Sequence, residues 1–162
     1  MKITAFILLA LISLGLNAAG KTAFINSKIL LEQSPQAVSA NAELQKQFGE
    51  REQSLRKLAQ EIQQMEKTYK TDSAVMSDEQ KKKAEDNIIQ NKRRFQFEQQ
   101  SLKEDLQAKQ RELLQKVQVS IKSVIQEYGN KNGYDFIFTD ASIAYASDAV
   151  NITDKILEEL KK

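Results

Sequence analysis

Residues 44–69 read LQKQFGEREQSLRKLAQEIQQMEKTY, and this stretch decides the fold. Leu44, Phe48, Leu55, Leu58, Ile62, Met65 and Tyr69 recur at alternating spacings of three and four, with Arg51 in the one skipped slot. A seam sustained in this way belongs to a helix that pairs with another along its whole length. Glu52 and Arg56, and again Glu66 and Lys70, stand four apart in the favourable order, each pair adding a few tenths of a kcal/mol. Gly49, inside the helix, costs about 0.5–1 kcal/mol relative to Ala and marks a softer point.

Upstream of the seam, Ser34 reads as an N-cap and Pro35 as the first helical position, where a missing N–H costs nothing. The helix then runs to about Lys70. Before it, Thr22–Asn26 reads as a short strand and Ser27–Gln33 as a helical turn. Downstream, Thr71–Met76 breaks the pattern as the tip of a hairpin. Ser77 and Gln80 form a capping box for a second helix, expected to end at Tyr128 with Gly129 as its left-handed residue. That helix would be about 75 Å long against about 55 Å for the first.

The apolar positions of the second helix are Ile88, Phe95, Leu102, Leu106, Leu113, Val117, Ile121, Val124 and Tyr128, with Lys92, Gln99 and Lys109 in seam slots between them. The distal half is therefore poorly sealed and the proximal half densely apolar. After Asn132-Gly133 the period changes to two: Tyr134, Phe136 and Phe138 alternate with Asp135, Ile137 and Thr139, which predicts a strand with an aromatic face. Asp140–Ser142 turns the chain into a second strand, Ile143–Ala146. Asn151, with Asp154 three residues on, caps a terminal helix carrying Ile152, Ile156, Leu157 and Leu160.

The first 20 residues read differently. Lys2 supplies a positive start, Ile3–Leu16 an apolar stretch, and Ala18-Ala19-Gly20 the small residues a signal peptidase prefers. The stretch is short of the roughly 20 residues a membrane-spanning helix needs, and without cysteine a lipoprotein anchor is excluded. Residues 1–20 are thus a predicted signal peptide, and the chain an exported one.

Composition narrows the function. Setting Lys2 aside leaves 23 basic against 22 acidic residues, too balanced for nucleic acid to be the expected partner. The absence of Cys and His removes thiol chemistry, the commonest general base and the commonest metal ligand. None of the five Gly forms a phosphate-cradling loop. No enzyme, metal or cofactor is expected.

The fold class is therefore mostly α: a long antiparallel helical hairpin, a coiled-coil arm over residues 41–111, projecting from a small β-sheet body built by both chain ends, residues 21–40 and 112–162. Three short strands are marginal alone, and a two-helix hairpin buries only one stripe of each helix. Insufficient core predicts that several copies associate through their bodies.

The opening Lys21-Thr-Ala-Phe-Ile-Asn26, the run Ile121-Lys-Ser-Val124, and the closing Ile143-Ala-Tyr-Ala-Ser-Asp148 and Asn151-Ile-Thr-Asp-Lys-Ile-Leu157 resemble the Skp/OmpH family of periplasmic chaperones across the mature chain. The resemblance implies a periplasmic homotrimer whose three arms enclose a cavity, holding unfolded outer-membrane β-barrel proteins without ATP until membrane assembly. Members of the family are often strongly basic, whereas this chain counts only about +3 per trimer. Where the resemblance implies a lipopolysaccharide contact on basic residues of the long helix, this sequence carries Lys103-Glu104-Asp105. The alternative is a structural or adaptor coiled-coil protein of the cell envelope, although efflux adaptors flank such hairpins with β domains larger than this chain contains.

Two groups of residues are candidates for function. Phe24, Phe136, Phe138, Ile143 and Tyr145 are expected at the oligomer interface. Client contact is assigned diffusely to Lys81, Lys82, Lys83, Lys92, Arg93, Arg94, Phe95 and Phe97, the lysine clusters also offering a weak contact to anionic lipid. Phe95 and Phe97 are two apart and cannot share a helix face, so one of them is expected to stand exposed. The stripe Leu55–Tyr69 is read as the seam between helices rather than a client surface.

Overall fold

The computed structural model describes residues 20–162, so the predicted signal peptide lies outside the described residues except for Gly20. The chain forms strand β1 (Thr22–Ile25), helix α1 (Ser27–Gln33), helix α2 (Pro35–Asp72), helix α3 (Asp78–Asn132), strand β2 (Phe136–Thr139) and helix α4 (Thr153–Glu159). It divides into two compact units: the chain through Pro35 together with Gln118–Lys162, and Gln36–Val117.

Gln36–Val117 is an antiparallel helical hairpin, as the seam predicts. The direction follows from cross-helix partners: Glu43 meets Lys109, Arg51 meets Asp105, Glu66 meets Lys92 and Tyr69 meets Glu85, one number rising as the other falls. Phe48, Leu58 and Ile62 of α2 and Ile88, Leu102, Leu113 and Val117 of α3 are buried, while Leu44, Leu55, Met65 and Tyr69 are half-buried. A single-turn 3₁₀ helix, Ser73–Val75, makes the tip. The capping box forms as expected: the backbone N–H of Gln80 donates to Ser77 Oγ (3.3 Å) and that of Ser77 to Gln80 Oε1 (2.9 Å).

The other unit is built on the strands. β1 and β2 pair in parallel, Thr22 opposite Phe136 and Phe24 opposite Phe138, as strands joined by a long helical excursion can. Alternation gives the sheet two faces. Ala23 and Ile25 are buried and lie in register with Ile137 and Thr139. Leu30 of α1, Ile121 of α3, and Ile152, Ile156 and Leu160 around α4 are buried with them, as are the polar Ser34 and Thr153. α1 is capped by Asn26, whose Oδ1 accepts from the Ile29 N–H at 3.0 Å.

Two expectations are corrected. α3 continues to Asn132 rather than Tyr128, and the left-handed residue is Gly133 (φ 65°), not Gly129. The Tyr134 N–H reaches the Gly129 carbonyl at 3.0 Å and the Gly133 N–H that of Asn130 at 3.3 Å, closing a Schellman motif. Gly129 serves close packing instead: a Cβ there would lie 3.2 Å from Ile137 Cδ1. Ile143–Ala146 is not a strand. Single 3₁₀ turns, Asp140–Ser142 and Asp148–Val150, bracket it, and the free edge of β1 is taken by the Ile152 N–H, which donates to the Phe24 carbonyl at 2.9 Å. Asn151 bridges Phe24 in parallel, and the Asn26 N–H donates to Thr153 Oγ1 at 2.9 Å. Among the described residues the sheet has two strands rather than three.

Candidate functional site

In the body unit, β2 presents the aromatic face that the period-two pattern predicts. Phe136 and Phe138 stack with ring centroids 5.9 Å apart. They are 61% and 40% exposed, and Phe24 beside them in register is half-buried. Tyr145 is 84% exposed and Ile143 half-buried. Phe24, Phe136 and Phe138 therefore share the face of the sheet opposite Ala23 and Ile25. Fully burying an exposed phenylalanine is worth about 1.5–3 kcal/mol, and Phe136 and Phe138, already partly covered, retain only part of that on this face.

Tight polar contacts hold this face in place. Asp140 accepts from the Ser27 N–H at 2.9 Å and from the Ser27 hydroxyl. The hydroxyl chiefly, and then the N–H, hold the Asp140 carboxyl below its ordinary value. Asn151 Oδ1 accepts from the Thr153 N–H at 3.0 Å and its hydroxyl at 2.6 Å just ahead of α4, but the N-cap is Ile152, with no side-chain capping bond, rather than the expected Asn151.

In the hairpin unit, the eight client-contact candidates separate into engaged and free groups. Lys92 pairs with Glu66 across the hairpin at 2.5 Å, and Arg94 with Glu98 along α3 at 3.4 Å. Lys81, Lys82, Lys83 and Arg93 make no ion pair among the described residues, and all but the half-buried Lys81 are exposed. Phe95 is half-buried and Phe97 is 75% exposed, so Phe97 is the outward member of the pair.

The seam slots occupied by polar residues close with charge rather than apolar contact. Arg51 donates to Asp105 Oδ2 at 2.7 Å and to Ser101 Oγ at 3.3 Å. Lys109 reaches Glu43 at 2.8 Å and Glu112 at 3.3 Å. The Glu43 carboxylate first, then Glu112, raises the Lys109 ammonium above its ordinary value. Lys116, 2.5 Å away, and then Lys109 hold the Glu112 carboxyl down. At the far end, the Tyr69 hydroxyl donates to Glu85, which raises the phenol.

Where Arg51 and Gln99 interrupt the seam, two grooves open on the hairpin. One, of about 370 Å³, is lined by Leu55, Leu102, Phe97, Arg51, Ser54 and Ser101. The other, of about 290 Å³, shares Leu55 and Leu102 and adds Phe95, Gln99 and Ala59. Sequence reasoning singled out both phenylalanines but not the grooves beside them. The sequence showed the skipped slots Arg51 and Gln99, but not that both come to lie beside Leu55. Among the described residues no cluster of three or more acidic side chains is placed to hold a metal, and no helix is long and apolar enough to cross a membrane.

A hairpin with polar gaps in its seam, accompanied by a small sheet with an exposed aromatic face, defines a mostly helical protein that leaves apolar surface open to solvent. The chain belongs to the family of OmpH-like outer membrane proteins, whose sequence model matches residues 21–160. Relatives include the chaperone protein Skp of Pectobacterium atrosepticum, 25% identical over 92% of this chain and 90% of that one. The Skp-like protein of Pseudomonas aeruginosa is 25% identical over 88% of this chain and 84% of its own. An OmpH-like outer membrane chaperone from Caulobacter crescentus shares the fold, with TM-score 0.73 at 14% identity over 89% of this chain and 85% of that one.

Proposed function

We propose that this chain is a periplasmic holdase: it binds unfolded outer-membrane β-barrel proteins without ATP and keeps them from aggregating before membrane assembly. The observation that carries this reading is the pairing of a family match over residues 21–160 with an apolar surface left open on the hairpin, Phe97 standing 75% exposed beside the Leu55–Leu102 groove. Transmembrane strands alternate apolar and polar side chains with aromatic girdles at their ends. An extended client therefore offers isolated large apolar groups that a shallow groove takes one at a time. Many weak contacts on several copies then sum by avidity. The free cations Lys81, Lys82, Lys83 and Arg93 add short-range attraction for acidic client segments and a weak contact to anionic lipid. Export follows from the signal peptide read in residues 1–20, and trimerisation through Phe24, Phe136, Phe138, Ile143 and Tyr145 supplies the several copies.

The test mixes the mature chain with a urea-unfolded outer-membrane β-barrel protein, dilutes the urea without nucleotide and follows light scattering. Suppressed aggregation and a complex holding three copies of the chain are expected. Aggregation at the rate seen without the chain would overturn the holdase reading in favour of a structural or adaptor role.

A further inference from the structure

The first described residues are held in an unusual clamp. The Lys21 backbone nitrogen donates to Asp135 Oδ2 at 2.6 Å, at the short end even for a charge-assisted bond. The Lys21 carbonyl accepts from the Asp135 N–H at 2.9 Å and the Phe136 N–H at 3.4 Å. Its ammonium donates to the Asn132 carbonyl at 2.7 Å and lies 4.2 Å from the centre of the Tyr134 ring. Gly20 passes so close to Asp135 that a Cβ would meet Oδ2 at 2.9 Å. The ordinary β1–β2 register begins only at Thr22 with Phe136, so this carboxylate contact is additional to the ladder.

We propose that Asp135 is the receptor for the α-ammonium set free when signal peptidase cuts between Gly20 and Lys21. This rests on the export reading above. Ala18 and Gly20 satisfy the small-x-small requirement of that bond, whereas cutting one residue earlier would put Asn17 in the first small position. Hydrolysis breaks the Gly20–Lys21 amide: water gives its hydroxyl to the Gly20 carbonyl carbon and a proton to the Lys21 nitrogen, which takes up a second proton as an ammonium. The group that donated to Asp135 as a neutral amide then does so as a cation. Maturation thereby turns a hydrogen bond into an ion pair at the point where the parallel sheet starts, and the aromatic strand β2 is fixed best in the processed chain.

Asp135 faces the new ammonium; the other charge on the same residue, the Lys21 side chain, is directed to the Asn132 carbonyl at the end of α3 and the Tyr134 ring, and Lys131 also lies in the last turn of α3. Pairing with a carboxylate raises the ammonium's pKa above its unfolded value of about 7.7–8.0. The stabilisation is then fully present below that value and lost as pH rises through the folded one.

The test has two arms. The full chain is exported from a Gram-negative host and its intact mass measured; a product beginning at Lys21 is expected. Thermal midpoints are then read from pH 6 to 9.5 for that product, for its Asp135→Asn form, and for a chain made without export that carries a Met-Ala extension before Lys21. The processed chain is expected to lose on the order of 2 °C across the alkaline limb, and the other two to stay flat. An unprocessed product sinks the export reading. A processed product that begins at Ala19 or Gly20, or an alkaline limb unchanged by Asp135→Asn or by the extension, overturns the ammonium clamp and leaves export standing.

Discussion

Gly133 and Gly49 place opposite demands on the same residue type. Gly133 holds φ 65° with no side chain in conflict, and its backbone closes the end of α3. Gly49 lies inside α2 with nothing within 4 Å of where a Cβ would stand. Gly49→Ala is expected to stabilise by about 0.5–1 kcal/mol through helix propensity and reduced unfolded-state entropy. Gly133→Ala is expected to destabilise by about 1 kcal/mol or more, because an L side chain disfavours the left-handed region. Urea midpoints moving in opposite directions at unchanged slope would establish both; a rise for Gly133→Ala would refute the Schellman end. The capping box at Ser77 and Gln80 was legible because both partners are local in sequence. Gly129 was misread because its role depends on Ile137, which lies across the end of the helix and gives no local signal.

At the scale of elements, apolar and polar seam layers differ in what they contribute. Leu58 and Ile62 are buried between α2 and α3, so Leu58→Ala or Ile62→Ala is expected to cost about 2–5 kcal/mol. The Arg51–Asp105 pair is half-exposed at 2.7 Å. A double-mutant cycle on it is expected to give under about 1 kcal/mol, shrinking with salt. A pair energy as large as the Leu58 loss would show that charge, not packing, holds the hairpin. Acid should act on the same layer. Glu112 is held below its ordinary value by Lys116 and Lys109, so its contribution is present above the unfolded value of about 4.3 and lost as pH falls through the lower folded one. Thermal midpoints are expected to fall below about pH 4.3, and Glu112→Gln to blunt that fall. An unchanged acid limb in the variant would remove the pair from the account. The heptad spacing made the hairpin legible before any coordinates, since a period of three and four has few other causes. The polar slots were also visible, but spacing alone does not tell which cross-helix carboxylate each cation reaches. For the same reason the grooves beside Leu55 went unread.

For the whole molecule, the aromatic face of β2 is the feature that a single chain leaves unexplained. The period-two run of Tyr134, Phe136 and Phe138 announced the face, whereas the loss of a third strand goes with distant residues, Asn151 and Ile152, occupying the edge of β1 at Phe24. Phe136 and Phe138 remain 61% and 40% exposed although Ala23 and Ile25 behind them are fully packed. A small sheet that leaves its aromatic side to water is stabilised when copies cover that side. Stability then depends on protomer concentration, because association adds free energy only to the folded state. The mature chain is therefore expected to show a thermal midpoint that rises with dilution reversed, from nanomolar toward micromolar, and a three-chain mass in size-exclusion light scattering. Phe136→Glu places a charge on the exposed side of β2 and leaves the Ala23–Ile25 face untouched, so it is expected to yield a helical single chain whose midpoint no longer varies with concentration. Should Phe136→Glu keep the three-chain mass, the contact between copies lies elsewhere; should the wild type stay a monomer at micromolar concentration, the aromatic face serves the client rather than the oligomer.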